Sequence, residues 1–161
     1  MPTPEFILSL REKIGHDPLW MPGVTAVVFN EGGQVLLCRR SDNGAWTPIT
    51  GIVDPGEEPA VTAVREAEEE AGVVIEVEGL ASVKANPPQT FPNGDQAQFL
   101  DLTFRCRYVS GEARVNDEES SDMMWADLDD LPPMNDRMLY RLRSASEFSG
   151  RTWFSLDGLD T

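Results

Sequence analysis

The residues that usually hold zinc or build disulfide frameworks are scarce in this chain, which has one histidine and two cysteines. Cys38 and Cys106 both fall inside strand-like runs. They read as small buried hydrophobes in a reducing, cytoplasmic setting rather than as a disulfide. His16, ahead of Asp17-Pro18, reads as a turn residue with a structural role. No apolar run approaches the ~20 residues that a membrane helix needs, so no membrane association is expected. The start, Met1-Pro2-Thr3-Pro4-Glu5, lacks a basic region followed by an apolar stretch, so no secretory leader is expected. Positive charge is also in short supply: 13 basic residues stand against 28 acidic ones, a net charge of −15. That field repels a nucleic-acid backbone and argues against stable binding to DNA or RNA.

What is present is a globular composition. Apolar residues make up 40% of the 161 and charged residues 25%, enough for one domain with a proper core. A helix is expected over 5–14, where Phe6, Ile7, Leu10 and Ile14 recur at helical spacing before Gly15. Strands are expected over 24–29 and 34–39 around the turn Asn30-Glu31-Gly32-Gly33, with a short extended piece over 46–53. A helix over 58–71 ends at Gly72, a natural left-handed cap. Strands follow over 73–83, 97–109 and 123–126, and a last helix over 134–146. The order implies an α/β or α+β sandwich. The expected division is a helical extension over 1–20, a main domain over 21–147 and a poorly ordered tail over 148–161.

One segment carries chemistry. On a helix turning about 100° per residue, Glu70 lies roughly 40° to one side of Glu66 and Glu69 roughly 60° to the other, while Glu68 points away. Ala60, Val64, Ala67 and Ala71 collect opposite the acids and are expected to pack on the sheet. Three carboxylates on one face repel one another, and no lysine between Glu57 and Gly72 offsets them. A hard, oxygen-seeking cation would. Carboxylates without histidine or cysteine suit Mg²⁺ or Mn²⁺. From the helix alone, a cation site and a solvated acidic face are equally good readings. The neighbours tip the balance. Gly51 lets the backbone approach a ligand or metal, and its carbonyl can itself ligate. Glu57 sits at the positive end of the helix, and Arg65 is spaced to pair with Glu69 at i+4.

The pattern resembles the Nudix box, Gly-x5-Glu-x7-Arg-Glu-U-x-Glu-Glu-x-Gly-U with U aliphatic. Gly51, Glu57, Arg65, Glu66, Glu69, Glu70 and Gly72 fill every fixed position, and Val73 the last aliphatic one. Ala67 is smaller than the usual Leu or Ile. Thr50-Gly51 stands where many members carry Gly-Gly. Trp46 upstream and Trp125 with Leu131-Pro132 downstream extend the likeness over about 23–133. The resemblance implies a Nudix-type α-β-α sandwich with a central mixed sheet. It also implies a Mg²⁺- or Mn²⁺-dependent hydrolase that cuts a phosphoanhydride bond in a nucleoside diphosphate linked to another group, such as ADP-ribose, an NDP-sugar or a modified nucleoside triphosphate. Metal arriving with the substrate would reconcile an anionic ligand with an acidic protein.

On the same resemblance, Gly51, Glu66, Glu69 and Glu70 form the metal set, with Glu69 a further ligand or acid–base group and Arg65 supporting them. A loop carboxylate is expected from Asn116-Asp117-Glu118-Glu119, with Glu119 favoured and Glu118 next. Arg39 and Arg40 are candidates for phosphate contact, against a plain strand-end pair. Phe91 is a candidate stacking platform, against an ordinary turn aromatic. The partner is a small nucleoside diphosphate derivative, and a homodimer is compatible with the sequence. The alternative, a non-catalytic nucleotide sensor on the same fold, would be expected to show gaps in the box, and there are none.

Overall fold

The computed structural model describes residues 3–156. α1 spans Glu5–Ile14 and α2 Pro59–Ala71, as the periodicity predicts. α3 begins at Asp136, two residues later than expected, where the Asn135 side chain accepts the Met138 amide at 2.9 Å and caps the helix. α2 opens on a proline, which has no amide to leave unsatisfied there, and closes at Gly72 with φ 69°.

Strands β1 (Leu19–Phe29), β2 (Val35–Arg40), β3 (Trp46–Thr47), β4 (Ile49–Ile52), β5 (Val74–Ala85), β6 (Gln89–Thr90), β7 (Gln96–Ser110), β8 (Ser120–Ala126) and β9 (Trp153–Phe154) join in one mixed sheet. Its central order is β3-β2-β1-β7-β5-β9. β4 pairs with β1, β6 with β7, and β8 with β2. β1 runs parallel to β7, from Leu19↔Ala97 to Phe29↔Arg107. That long register explains why β1 starts at Leu19 and not at Val24. Pro22 and Gly23 mask the strand in the sequence, but pairing to β7 carries the chain through them. The expected extended piece over 46–53 divides at Pro48 into β3 and β4.

The helices lie on opposite faces. α2 buries Ala63, Ala67 and Ala71 with Val24, Ile49, Val73 and Cys106 on one side. α3 buries Leu142 and Ala145 with Val27, Leu37 and Ala81 on the other. α1 packs at one end, where Ile7 meets Met21 and Ala97. Cys38 and Cys106 are buried and free, as expected.

The chain from Phe148 to Phe154 returns to the sheet. Thr152 donates to the Leu80 carbonyl at 2.8 Å, and β9 adds in parallel to β5 at Ser82↔Trp153 and Val83↔Phe154. Phe148 fills the space over Gly79, where a Cβ would come within 2.5 Å of its ring. The expected tail from 157 onward lies outside the described residues. The phase of α2 differs from the expected one. Its buried residues are Thr62, Ala63, Glu66, Ala67, Glu70 and Ala71, with Ala60 and Val64 only partly covered. Glu66 and Glu70 thus border the packed face and do not stand opposite it.

Candidate active site

Gly51 explains how Glu66 comes to be buried. β4 pairs with β1 at Val24↔Gly51 and turns Gly51 toward α2. A Cβ there would lie 2.6 Å from both Cδ and Oε1 of Glu66. Only glycine lets that side chain sink against the strand. Glu66 is 1% exposed. Its Oε1 accepts from Arg65 Nη1 at 3.0 Å, while Oε2 is buried with no hydrogen-bond partner. Burial, reinforced by the charges of Glu69 and Glu70 and opposed by Arg65, raises its pKa to about 7. Glu70 is also buried, and burial raises its pKa. The Ser120 hydroxyl donates to its Oε1 at 3.0 Å, and the Cys38 thiol lies beside it. Burial, with the Glu70 charge adding to it, pushes that thiol's pKa up.

Arg65 pairs with Glu69 as the i+4 spacing suggests, but it is held mainly by Glu57. Nε and Nη2 of Arg65 each reach a different oxygen of Glu57 at 2.8 Å, a bidentate fork. The Thr62 hydroxyl donates to Glu57 at 2.6 Å. The Arg65 fork, with Thr62 adding to it, lowers the Glu57 pKa to about 2. Nη1 of Arg65 is left for Glu66 and, at 3.2 Å, for Glu69. Glu57 therefore acts as an anchor for the arginine more than as a helix-dipole acid. The turn at Asp54, whose carboxylate is 3.7 Å from Arg65 Nη2, folds it back over the helix. The Glu69 side chain is 53% exposed and faces outward beside this fork.

The loop before β8 is fastened to the end of α2. Asn116 donates to the Glu68 and Glu69 carbonyls, both at 3.1 Å, and its amide reaches the Glu70 carbonyl at 3.1 Å. Gly111, with φ 95°, lies so close to Gly72 that a Cβ would fall 2.5 Å from the Gly72 carbonyl. This docking sets the Asp117 charge where it opposes ionisation of Glu70. Glu119 lies two residues on, half-buried, with its amide on the Asp117 carboxylate at 3.0 Å and its carbonyl accepting the Ser41 amide at 2.8 Å.

Glu66 thus lies against Gly51, Glu70 is buried one helical turn on against Ser120 and Cys38, and Glu69 stands at the rim. Among the described residues, no three His, Cys, Asp or Glu side chains are already gathered as a metal cluster. Arg40 forms a two-point pair with Asp42 at 3.0 and 2.7 Å and feels the charge of Glu70. Arg39 donates to the Gly44 carbonyl at 3.2 Å. Phe91 sits, partly exposed, in the β6–β7 turn. That turn is tied to the end of α1 through Asp95, which meets His16 at 2.7 Å. The His16 contact accords with its structural reading. The start of α1 comes to the box instead: Pro4, Glu5 and Phe6 share a cleft of about 380 Å³ with Asp54, Pro55, Arg65 and Glu69. Ser120, Cys38 and Thr62 escape sequence reasoning because their contacts to Glu70 and Glu57 depend on the fold. Only Thr62, one turn into the helix that Glu57 precedes, gives a local hint.

A mixed sheet between two helices, one of them lowering a glutamate onto a strand glycine, defines the hydrolase class that the box implies. The chain belongs to the NUDIX family, whose domain matches residues 19–145. It is 32% identical over 152 residues to a MutT-like protein of Streptomyces ambofaciens, covering 94% of this chain and 93% of that one. It is 38% identical over 111 residues to the NAD-capped RNA hydrolase NudC of Pseudomonas aeruginosa, and the match spans 67% of this chain but only 37% of the relative. Among solved structures, an ADP-ribose pyrophosphatase from Streptococcus suis aligns with a TM-score of 0.62 and 25% identity, over 83% of this chain and 96% of that one.

Proposed function

We propose that the protein is a Mg²⁺- or Mn²⁺-dependent pyrophosphohydrolase acting on a nucleoside diphosphate linked to another group, in the class of ADP-ribose, an NDP-sugar or a modified nucleoside triphosphate. The observation that carries this reading is Glu66: a buried carboxylate oxygen with no partner, beside a glycine carbonyl strand and a second buried carboxylate. Leaving such an oxygen unsatisfied is costly, and a divalent cation is the ligand that its chemistry suits. The donor set therefore fits the metal. The Gly51 carbonyl, Glu66, Glu69 and Glu70 would hold it, with Glu119 or its neighbour Asp117 contributing from the loop. Bound there, the cation would neutralise the diphosphate and acidify a water.

The remaining roles belong to the chain's own groups. Arg65, locked by Glu57, keeps Glu66 aimed and limits the repulsion along α2. Glu69, with its outward carboxylate, is available to accept a proton from the attacking water. Arg40 and Arg39 are proposed to meet phosphate at the rim and Phe91 to flank the ligand. Their ties to Asp42, to Gly44 and to the turn at Asp95 must loosen for that to happen. The names of the relatives support the substrate class, because ADP-ribose and an NAD cap both contain a diphosphate joined to a nucleoside.

A panel of ADP-ribose, NDP-sugars, NAD and nucleoside triphosphates, scored for phosphate and nucleoside monophosphate release with Mg²⁺ and with EDTA, tests the proposal. Turnover is expected only with metal. Glu70→Gln is expected to lose on the order of 10³-fold in rate, while Glu68→Gln, on the exposed side, stays at wild-type rate. Equal losses in the two variants, or turnover undiminished by EDTA, would overturn the assignment.

A further inference from the structure

Glu70 lies one turn beyond Glu66 on α2, and a different part of the sheet receives it. The hydroxyl of Ser120, the first residue of β8, donates to its Oε1 at 3.0 Å. Both side chains are buried. Regular strand alternation would not put Ser120 there. Met123 and Trp125 of β8 pack on the core beneath α2, whereas Met124 and Ala126 pack in the core beneath α3. Continued with a period of two, that pattern sends Ser121 toward α2 and Ser120 away from it.

The register of β8 on β2 reverses this. Leu37↔Met124, Cys38↔Met123 and Arg39↔Asp122 run in step, and the next pair is Arg40↔Ser120. Ser121 is therefore the extra residue of a β-bulge. Bulges beside active sites re-aim a side chain, and this one exchanges the two serines. Ser120 turns inward, while Ser121 stays exposed with its hydroxyl on the Arg39 carbonyl at 3.4 Å. The bulge follows a loop that is fastened on both sides. Asn116 ties the loop to the end of α2. Ser41, just past β2, donates its amide to the Glu119 carbonyl at 2.8 Å and its hydroxyl to the Glu118 carbonyl at 2.9 Å. The Cys38 thiol also faces Glu70, but it donates to the Thr47 carbonyl at 3.6 Å, and a thiol is a weak donor. The stronger, directed contact to Glu70 is the Ser120 hydroxyl.

Granted the metal site proposed above, we infer that Ser120 is a positioning residue for the cation. By holding Oε1 it fixes the plane of the Glu70 carboxylate, and with it the direction from which an ion is ligated. A carboxylate free to rotate must be ordered when the ion arrives, whereas one already held loses less freedom on binding. Groups that orient a metal ligand in this way typically change affinity for the ion by about 10–100-fold when removed. The same hydrogen bond joins α2 to the strand that directly follows the acidic loop, so one hydroxyl sets Glu70 and the end of the Asp117–Glu119 segment relative to each other.

Calorimetric titration of the full chain with Mn²⁺, without substrate, tests it in wild type, Ser120→Ala, Ser120→Thr, Ser121→Ala and Glu70→Gln, each first melted in EDTA to establish that it is folded. Wild type and Ser121→Ala are expected to take up the ion alike, and Glu70→Gln to lose it. Ser120→Ala is expected to bind about 10–100-fold more weakly, and Ser120→Thr, which keeps the hydroxyl, to recover most of that loss. In turnover, Ser120→Ala is expected to need correspondingly more Mg²⁺ for half-maximal rate and to regain most of its kcat at saturation, with KM for the substrate unchanged. A lower melting temperature in EDTA with unchanged Mn²⁺ affinity would reduce Ser120 to a structural hydrogen bond and overturn the proposal. Ser120→Thr binding no better than Ser120→Ala would overturn it as well. Those results leave the hydrolytic reading intact. Absence of uptake by wild type, or full uptake by Glu70→Gln, would overturn the metal site and this inference together.

Discussion

Glu66 links stability to chemistry at a single carboxyl group. Its folded pKa of about 7 lies above its ordinary 4.5, so the folded chain holds a proton there that the unfolded chain releases. The stability this contributes is complete below pH 4.5 and is lost as pH rises through 7. In chelator, Glu66→Gln should melt above wild type at pH 8, by about 1–3 kcal/mol, and the gap should close by pH 5. Melting curves across that range decide it, and a variant less stable at every pH would show that burial is not what strains this residue. Glu57 runs the other way. Its pKa of about 2 means that its pairing with Arg65 is fully stabilising above pH 4.5 and fades only as pH falls through 2. Arg65→Lys keeps the charge but cannot reproduce the fork. It should lower kcat with little change in charge-dependent behaviour and destabilise by about 1–2 kcal/mol. A variant with wild-type kcat would remove Arg65 from the positioning role.

At the scale of elements, local pattern and long-range pairing divide the outcome. α1 and α2 were legible because their spacing, Gly15 and Gly72 are local signals. That Glu66, Glu69 and Glu70 share one helix was legible for the same reason. The first half of β1 was hidden because Pro22 and Gly23 break a strand pattern that only β7 completes. β9 was invisible because two residues carry no period. The i+4 pairing of Arg65 with Glu69 was legible, but its closer partner Glu57 was not, because Glu57 returns through a turn that a helical wheel cannot represent. The wheel also set the alanines opposite the acids, whereas Gly51 draws Glu66 into the packed face. The docked tail supplies its own test. Gly79→Ala should expel Phe148, since the new methyl would overlap its ring. We expect a loss of about 2–4 kcal/mol, near that of emptying an aromatic site, and rapid proteolysis beyond Ser146. A variant that resists protease like wild type would show that the tail is held by β9 alone.

For the whole molecule, the acidic surplus sets the response to ions. If the buried carboxylates take up a divalent cation, saturating Mg²⁺ raises the melting temperature. The gain is about 2.7 kcal/mol at a hundredfold excess over Kd, or several degrees for a chain of this size. Glu70→Gln should lose most of that rise while Glu68→Gln keeps it, and equal shifts in both would indicate general screening of the surface. The parallel pairing of β1 with β7 bears on how quickly such a molecule can form. Leu19 finds its partner only at Ala97, and β9 joins β5 later still in the sequence. Contacts so distant along the chain require large loops to close before they return any stabilisation, which slows folding. A nascent chain that has made both α2 and its glutamates still lacks the strand that completes the centre of the sheet. The acidic helix must therefore wait, unburied, for β7, and during that wait its crowded charges keep an incomplete chain in solution.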